Sequence, residues 1–227
     1  MASSTFITSG LNLKFIDKGL SVISENEIIV ILTTCQGTWQ TSEFGRFLRL
    51  KLPLAYITYV DWCRRFLNYK SRFTSQAAGT CHMIPSQPSD CLSNNLPPTS
   101  IACLFASYGD GRRNYFRIRK PGRDDKKKVY DQIDSALARL REQLSGWGEL
   151  SEMKAALNAT INVPMASSSI GPNPGWTKSG KGMQIYMYQH NGSDFQASWP
   201  EVESLIRKHF AGWEGTWNIW TKLVQED

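Results

Sequence analysis

The sequence predicts an α/β fold, a three-layer α/β/α sandwich around a mixed six-stranded sheet. Two features point there: six short β-branched runs recur along the chain, and stretches with helical period lie between them. The runs at 13–16, 28–34, 79–84, 100–106, 183–189 and 216–223 read as strands. Ser42 and Glu43 open a helix with Phe44, Phe47 and Leu48 on one face; Pro53 breaks it, and residues 56–69 resume with Ile57, Val60, Cys63 and Leu67 at helical spacing.

A further helix over 129–144 carries Val129, Ile133, Leu137, Leu140 and Leu144 on one face. The last begins at Ser198-Trp-Pro-Glu201, a capping-box spacing with proline in the first turn, buries Val202, Leu205, Ile206 and Phe210, and ends before Gly212. Residues 85–99 and 158–181, rich in Pro, Ser, Asn and Gly, are expected to be loop insertions within one domain spanning 1–227. Interleaved strands and helices imply a sheet covered on both faces, and such sheets bind ligands at the carboxyl ends of their strands.

At 227 residues with 41% hydrophobic content, the chain is long enough for one ample core. No apolar run approaches a membrane span, and the N-terminus lacks the basic start and apolar middle of a secretory signal, so an intracellular protein is expected. Cys35, Cys63, Cys81, Cys91 and Cys103 are odd in number and form no Cys-x-x-Cys pair, which favours reduced thiols packed as small hydrophobes. No metal or redox cofactor is implied by any spacing. The formal charge of +6 favours anionic partners. The stretch 112–128, opened by Arg112 and closed by Lys128, holds nine basic residues against Asp124 and Asp125.

Three strand ends run into loops fit to cradle an anion. Thr34-Cys35-Gln36-Gly37-Thr38-Trp39 follows the second strand, Ser107-Tyr108-Gly109-Asp110-Gly111 the fourth, and His190-Asn191-Gly192-Ser193-Asp194-Phe195 the fifth. Glycine lets backbone N–H groups approach phosphate, and hydroxyl or amide side chains add donors. Asp194 is a candidate for orienting water, and His190 for an acid or anion donor. Phe195 would stack on a ribose or base, or else belong to the core. The same residues also suit ordinary turn and cap chemistry.

These passages resemble the macrodomain family, in particular its fungal ADP-ribose 1''-phosphate phosphatase branch. Cys35-Gln-Gly-Thr-Trp39 with the helix to Leu52-Pro53 is similar to the family's Cys-Asn-Gly-Ser-Trp turn, helix and Tyr-Pro. Gly79-Thr-Cys-His-Met-Ile-Pro-Ser86 resembles its third strand, and Cys103-Leu-Phe-Ala-Ser-Tyr-Gly-Asp-Gly111 its fourth strand and loop. Asn191-Gly-Ser-Asp-Phe195 with Trp199-Pro-Glu-Val-Glu203 resembles its distal phosphate loop and last helix.

The resemblance implies binding of ADP-ribose or a related phosphorylated ribose. Gly37, Thr38, Trp39, Ser107, Gly109, Asn191, Gly192, Ser193 and Phe195 would contact the ligand, and Gln36, His190 and Asp194 would serve hydrolysis of ADP-ribose 1''-phosphate or of protein-linked ADP-ribose. Three departures bear on this. Leu20 stands where the family has an adenine-contacting acid, Gln36 where it has the ribose-orienting asparagine, and Gln40-Thr-Ser-Glu-Phe44 replaces its glycine run.

The alternative is a non-enzymatic interaction module with a degenerate nucleotide site, docking RNA or another anionic partner through 112–128, where Tyr115, Phe116 and Tyr130 interleave with the cations. A nucleotide site requires converging N–H groups of Gly37, Thr38, Gly192 and Ser193. In the interaction module Trp39, Gln40 or Glu43 would fill that cleft. Trp213, Trp217 and Trp220 are expected to pack the last strand and helix, and Trp147, Trp176 and Trp199 are available to a pocket or partner surface.

Overall fold

Six strands form one sheet in the order β1-β6-β5-β2-β4-β3, where β1 is Asn12–Ile16, β2 Glu27–Thr34, β3 Cys81–Ile84, β4 Thr99–Ser107, β5 Gln184–Tyr188 and β6 Thr216–Trp220. All neighbours are parallel except β3 and β4, so the sheet is mixed and five strands end on one edge. The computed structural model describes residues 11–16, 20, 23–24, 27–39, 42–67, 77–109, 124–161, 176–189 and 195–221, with the backbone alone at 65–67, 149 and 151–161.

Alternation along the strands divides the core. Ile28, Val30 and Leu32 of β2, with Ala102, Leu104 and Ala106 of β4, face helix α4 (Lys126–Ile161) and helix α5 (Trp199–His209). Ile29 and Ile31, with Ile101, Cys103 and Phe105, face helix α1 (Glu43–Lys51) and helix α2 (Pro53–Leu67). The two helical layers enclose the sheet, as the strand runs predict. In α4, Val129, Ile133, Leu137, Leu140 and Leu144 are all fully buried.

Helix α4 continues to Ile161, beyond the apolar face that marks it in the sequence. Residues 158–161 are therefore helical, not part of a loop insertion. Gly146 and Gly148 interrupt the helical pattern, and Gly148 is needed where α4 meets the next segment, since a Cβ there would stand 2.2 Å from the Thr177 carbonyl oxygen.

The stretch 85–99 also contains a helix, α3 (Pro88–Ser93), too short and too polar to stand out from turn composition. It clamps the joint between α1 and α2. Leu52, which precedes α2, has no side-chain acceptor, and buried Asp90 supplies the cap instead, accepting the Leu54 N–H at 3.0 Å and the Ala55 N–H at 2.9 Å. Asn94 donates to the Lys51 carbonyl at 2.5 Å and to the Asp90 carbonyl at 2.9 Å.

The buried face of α2 is Ala55, Tyr59 and Cys63; Ile57 points outward and Val60 is half-buried, so of the apolar residues at helical spacing whose side chains are described only Cys63 is fully buried, while the Leu67 side chain lies outside the described residues. In α5, Val202 and Ile206 are buried, as is Phe210 at its C-cap, and Leu205 is half-buried against the same cluster. Its N-terminus departs from a reciprocal capping box. The Tyr130 hydroxyl accepts the Ser198 N–H at 2.7 Å and donates to Glu201, which also accepts the Ser198 hydroxyl at 2.6 Å. Hydrogen bonds from Ser198 and Tyr130, with the Lys126 ammonium, hold the Glu201 carboxyl down at about 2. That contribution is complete above the ordinary carboxylate range and fades only as pH falls toward 2.

All five cysteines are buried free thiols. Trp176 and Trp199 are core residues and Trp147 packs half-buried against them, with Trp147 stacked on Trp176 at 6.0 Å. Among the described residues no helix is long and apolar enough to cross a membrane.

Candidate functional site

The carboxyl ends of β2, β4 and β5 lie side by side, so the loops that follow them share one edge of the sheet. At this edge the β2–β4 ladder slips. Thr33 pairs with Phe105 but Thr34 pairs with Ser107, leaving Ala106 as an extra residue, and the Cys35 N–H then donates to the Ser107 carbonyl at 3.1 Å. A bulge at this point re-aims both loops as they leave the sheet.

The loop after β2 is fixed from below by α2. Tyr59 is buried, and its hydroxyl donates to the Thr34 carbonyl at 2.6 Å. With its single proton so used, it accepts from Thr33 Oγ1 at 2.5 Å. Burial pushes this phenol well above its ordinary range. Tyr56 donates to the Gly37 carbonyl at 3.2 Å. Gly37 has φ of +74°, which an L side chain adopts at a cost, and it packs on Val60 and Cys63.

The backbone donors of this loop are partly turned inward. The Gln36 N–H folds back on Thr34 Oγ1 at 3.4 Å, and the Gly37 N–H faces the Cys63 thiol, which burial pushes up to about 12 despite that donor. Gln36 and Thr38 are half-buried at the edge. Trp39 is buried, stacked on Tyr59 at 5.3 Å and tilted against Tyr56 at 5.5 Å, so its ring belongs to the floor of the loop. Glu43 is exposed in the first turn of α1, where Ser42 caps the helix by accepting the Gly45 N–H at 2.8 Å.

Ser107 and Gly109 are likewise committed to the frame. The Ser107 hydroxyl, fully buried, donates to the Gly109 carbonyl at 2.8 Å and accepts the Asp124 N–H at 3.2 Å. The Asp124 carboxylate accepts the Tyr108 N–H at 2.8 Å, Gln132 Nε2 at 3.1 Å and Lys128 Nζ at 2.7 Å. Burial raises its pKa, but these donors outweigh burial and hold the carboxyl below the usual range. Asp124 thus ties the loop after β4 to the start of α4. In the sequence it shows only as one of two acids in a basic stretch, and nothing there marks it as a hub.

Phe195 is buried in the α4/α5-side core, in the same cluster as Trp199 and Val202, so its ring is engaged there. Leu20 is buried in the α1/α2-side core. His190, Asn191, Gly192, Ser193 and Asp194 lie outside the described residues, as do Gln40 and most of 112–128. Among the described residues, the structure gathers Gln36, Gly37, Thr38, Trp39, Ser107 and Gly109 at one edge.

Removing the Tyr59 hydroxyl tests this frame. Tyr59→Phe would strand Thr33 Oγ1 and the Thr34 carbonyl, at a cost of about 1–3 kcal/mol in urea unfolding. A free energy equal to that of the unchanged chain would mean that the Tyr59 contacts do not set the loop.

No protein-family model matches the sequence, and no curated protein matches it. Solved structures do. A macrodomain protein from Streptomyces coelicolor is 13% identical with a TM-score of 0.51, over 93% of this chain and 99% of that one. The macrodomain of Mycobacterium tuberculosis DarG is 12% identical with a TM-score of 0.50, over 94% and 99%. Thermosipho africanus DarTG in complex with ADP-ribose is 9% identical with a TM-score of 0.50, over 95% of this chain and 43% of that one. At such identities the likeness concerns architecture, and on that level this chain has a macrodomain-type fold.

Proposed function

We propose that this chain binds ADP-ribose or a related phosphorylated ribose at the edge formed by the loops after β2, β4 and β5. The observation that carries the reading is that β2, β4 and β5 are parallel neighbours whose carboxyl ends lie side by side in a macrodomain-type fold. One solved structure of that fold is described as a complex with ADP-ribose. Gly37, Thr38, Gly192 and Ser193 would meet the phosphates, Gln36 the distal ribose, and Asn191 the same end of the ligand. Hydrolysis of ADP-ribose 1''-phosphate, as in the fungal phosphatase branch, or of protein-linked ADP-ribose would then fall to Gln36, His190 and Asp194, with Asp194 orienting water.

The second reading is an interaction module whose nucleotide site has degenerated and whose stretch 112–128 docks RNA or another polyanion. It is favoured by the inward-facing Gly37 N–H, the buried Trp39 and the loss of an adenine-contacting acid at Leu20. Calorimetric titration with ADP-ribose separates the two. Binding near the micromolar range, about −8 kcal/mol, is expected, and it should vanish in Gly192→Glu while the melting temperature holds. A folded chain that gives no heat would sink the nucleotide reading and send the search to the basic stretch.

A further inference from the structure

Of the rings that interleave with the cations of the basic stretch, Tyr130 lies among the described residues, and both of its ends are engaged. Its ring carries the Lys126 ammonium at 5.5 Å, and its hydroxyl accepts the Ser198 N–H at 2.7 Å while donating to Glu201. A phenol has one proton, so with that proton on the Glu201 carboxylate the oxygen is left to receive the Ser198 amide. The contact joins two helices that run side by side in the same direction. Tyr130 meets Ser198 and Glu201 near the helix starts; further along, Asp134 accepts from Lys208 at 2.7 Å and pairs with His209 at 2.8 Å, and Arg141 lies over Phe210 at 5.9 Å. Both α4 and α5 therefore begin at the carboxyl edge, where the loops after β4 and β5 deliver them.

Strand β2 lies between β5 and β4, so these two loops flank the one that carries Gln36 and Gly37. The start of α4 holds both flanks. Asp124 fixes the loop after β4 through Tyr108 and Ser107, and Tyr130 grips the root of the loop after β5. That root is closely determined. Phe195 and Ala197 are buried in the core, and Gln196 between them has φ of +54°, a left-handed conformation that a non-glycine residue keeps only where its neighbours impose it. Ser198 makes no side-chain helix cap, since its hydroxyl goes to Glu201, and its backbone amide goes to the Tyr130 oxygen. Only Asp194 separates this root from Gly192 and Ser193. We infer that Tyr130 is a positioning residue for the carboxyl-edge site, acting through Ser198 to hold the loop after β5 at a fixed distance from the loop after β4. This role rests on the reading of that edge as a phosphorylated-ribose site.

Tyr130→Phe keeps the ring beside Lys126 and removes the oxygen alone. The control is Asp134→Ala, which breaks the contacts of α4 with Lys208 and His209 and leaves Ser198 untouched. In the full chain, Tyr130→Phe should raise the calorimetric Kd for ADP-ribose about fivefold, the order of one lost hydrogen bond. Hydrogen–deuterium exchange should quicken in the peptide covering 195–201. Asp134→Ala should do neither, whatever its effect on the melting temperature. Equal weakening by both variants would assign the effect to general α4–α5 packing and overturn the inference. So would unchanged exchange at 195–201, or faster exchange there with an unchanged Kd. If the unchanged chain takes up no ADP-ribose, the binding reading falls by itself, and the exchange comparison still decides whether Tyr130 holds the loop.

Discussion

Gly45→Ala is expected to destabilise the chain by roughly 4 kcal/mol or more, which is exceptional for a change of one methyl group. An alanine Cβ at this position would stand 1.7 Å from the Trp39 carbonyl oxygen, 2.8 Å from its carbon and 2.9 Å from Ser42 Oγ. Only the serine side chain can rotate away. The carbonyl is backbone, and Trp39 cannot retreat, because its ring is buried against Tyr59 and Tyr56. The sign is therefore opposite to that of an ordinary helix interior, where alanine in place of glycine stabilises by about 0.5–1 kcal/mol.

Gly146 in α4 provides the comparison, since a Cβ there meets nothing within 4 Å and Gly146→Ala should raise stability by that smaller amount. Thermal melts of the two variants read out the contrast. If Gly45→Ala melts at or above the unchanged chain, the approach of α1 to the loop after β2 is not as close as described. Because the same contact sets the loop that carries Gln36 and Gly37, the variant should also lose ADP-ribose binding below its melting temperature.

The strands and the faces of α4 and α5 are legible in the sequence because burial alone decides them. A β-branched run such as 28–34 has no other stable place than the centre of a sheet, and the face from Val129 to Leu144 has no other than against it. Legibility fails where a contact is made by the backbone or by a distant polar group. Helix α3 reads as loop because its value lies in Asp90 and Asn94 reaching the α1–α2 joint, 35 to 43 residues away along the chain. Ile57 reads as core because it is apolar, yet the smaller Ala55 and the aromatic Tyr59 lie toward the sheet.

At the candidate site the sequence marks the right loops but not the roles within them. Glycine, serine and threonine at a strand end signal both an anion cradle and a well-tied turn. Here Ser107 is occupied by Gly109 and Asp124, and Gly37 is turned toward Cys63. Trp39 cannot be assigned to ligand or floor until Tyr56 and Tyr59, one helix later, are seen beneath it.

Asp90→Ala should lower stability by about 2–3 kcal/mol, the second largest effect expected of a single change. Pro53 has no N–H and Leu52 no acceptor, so the first free donors of α2 are those of Leu54 and Ala55, and both end on the two oxygens of this one buried carboxylate. Alanine leaves both donors without a partner and removes a negative charge from a helix N-terminus, where it is favourable. Asp90→Asn keeps one acceptor and should lose about half as much. If alanine and asparagine cost the same in denaturant unfolding, the cap is not a two-oxygen contact.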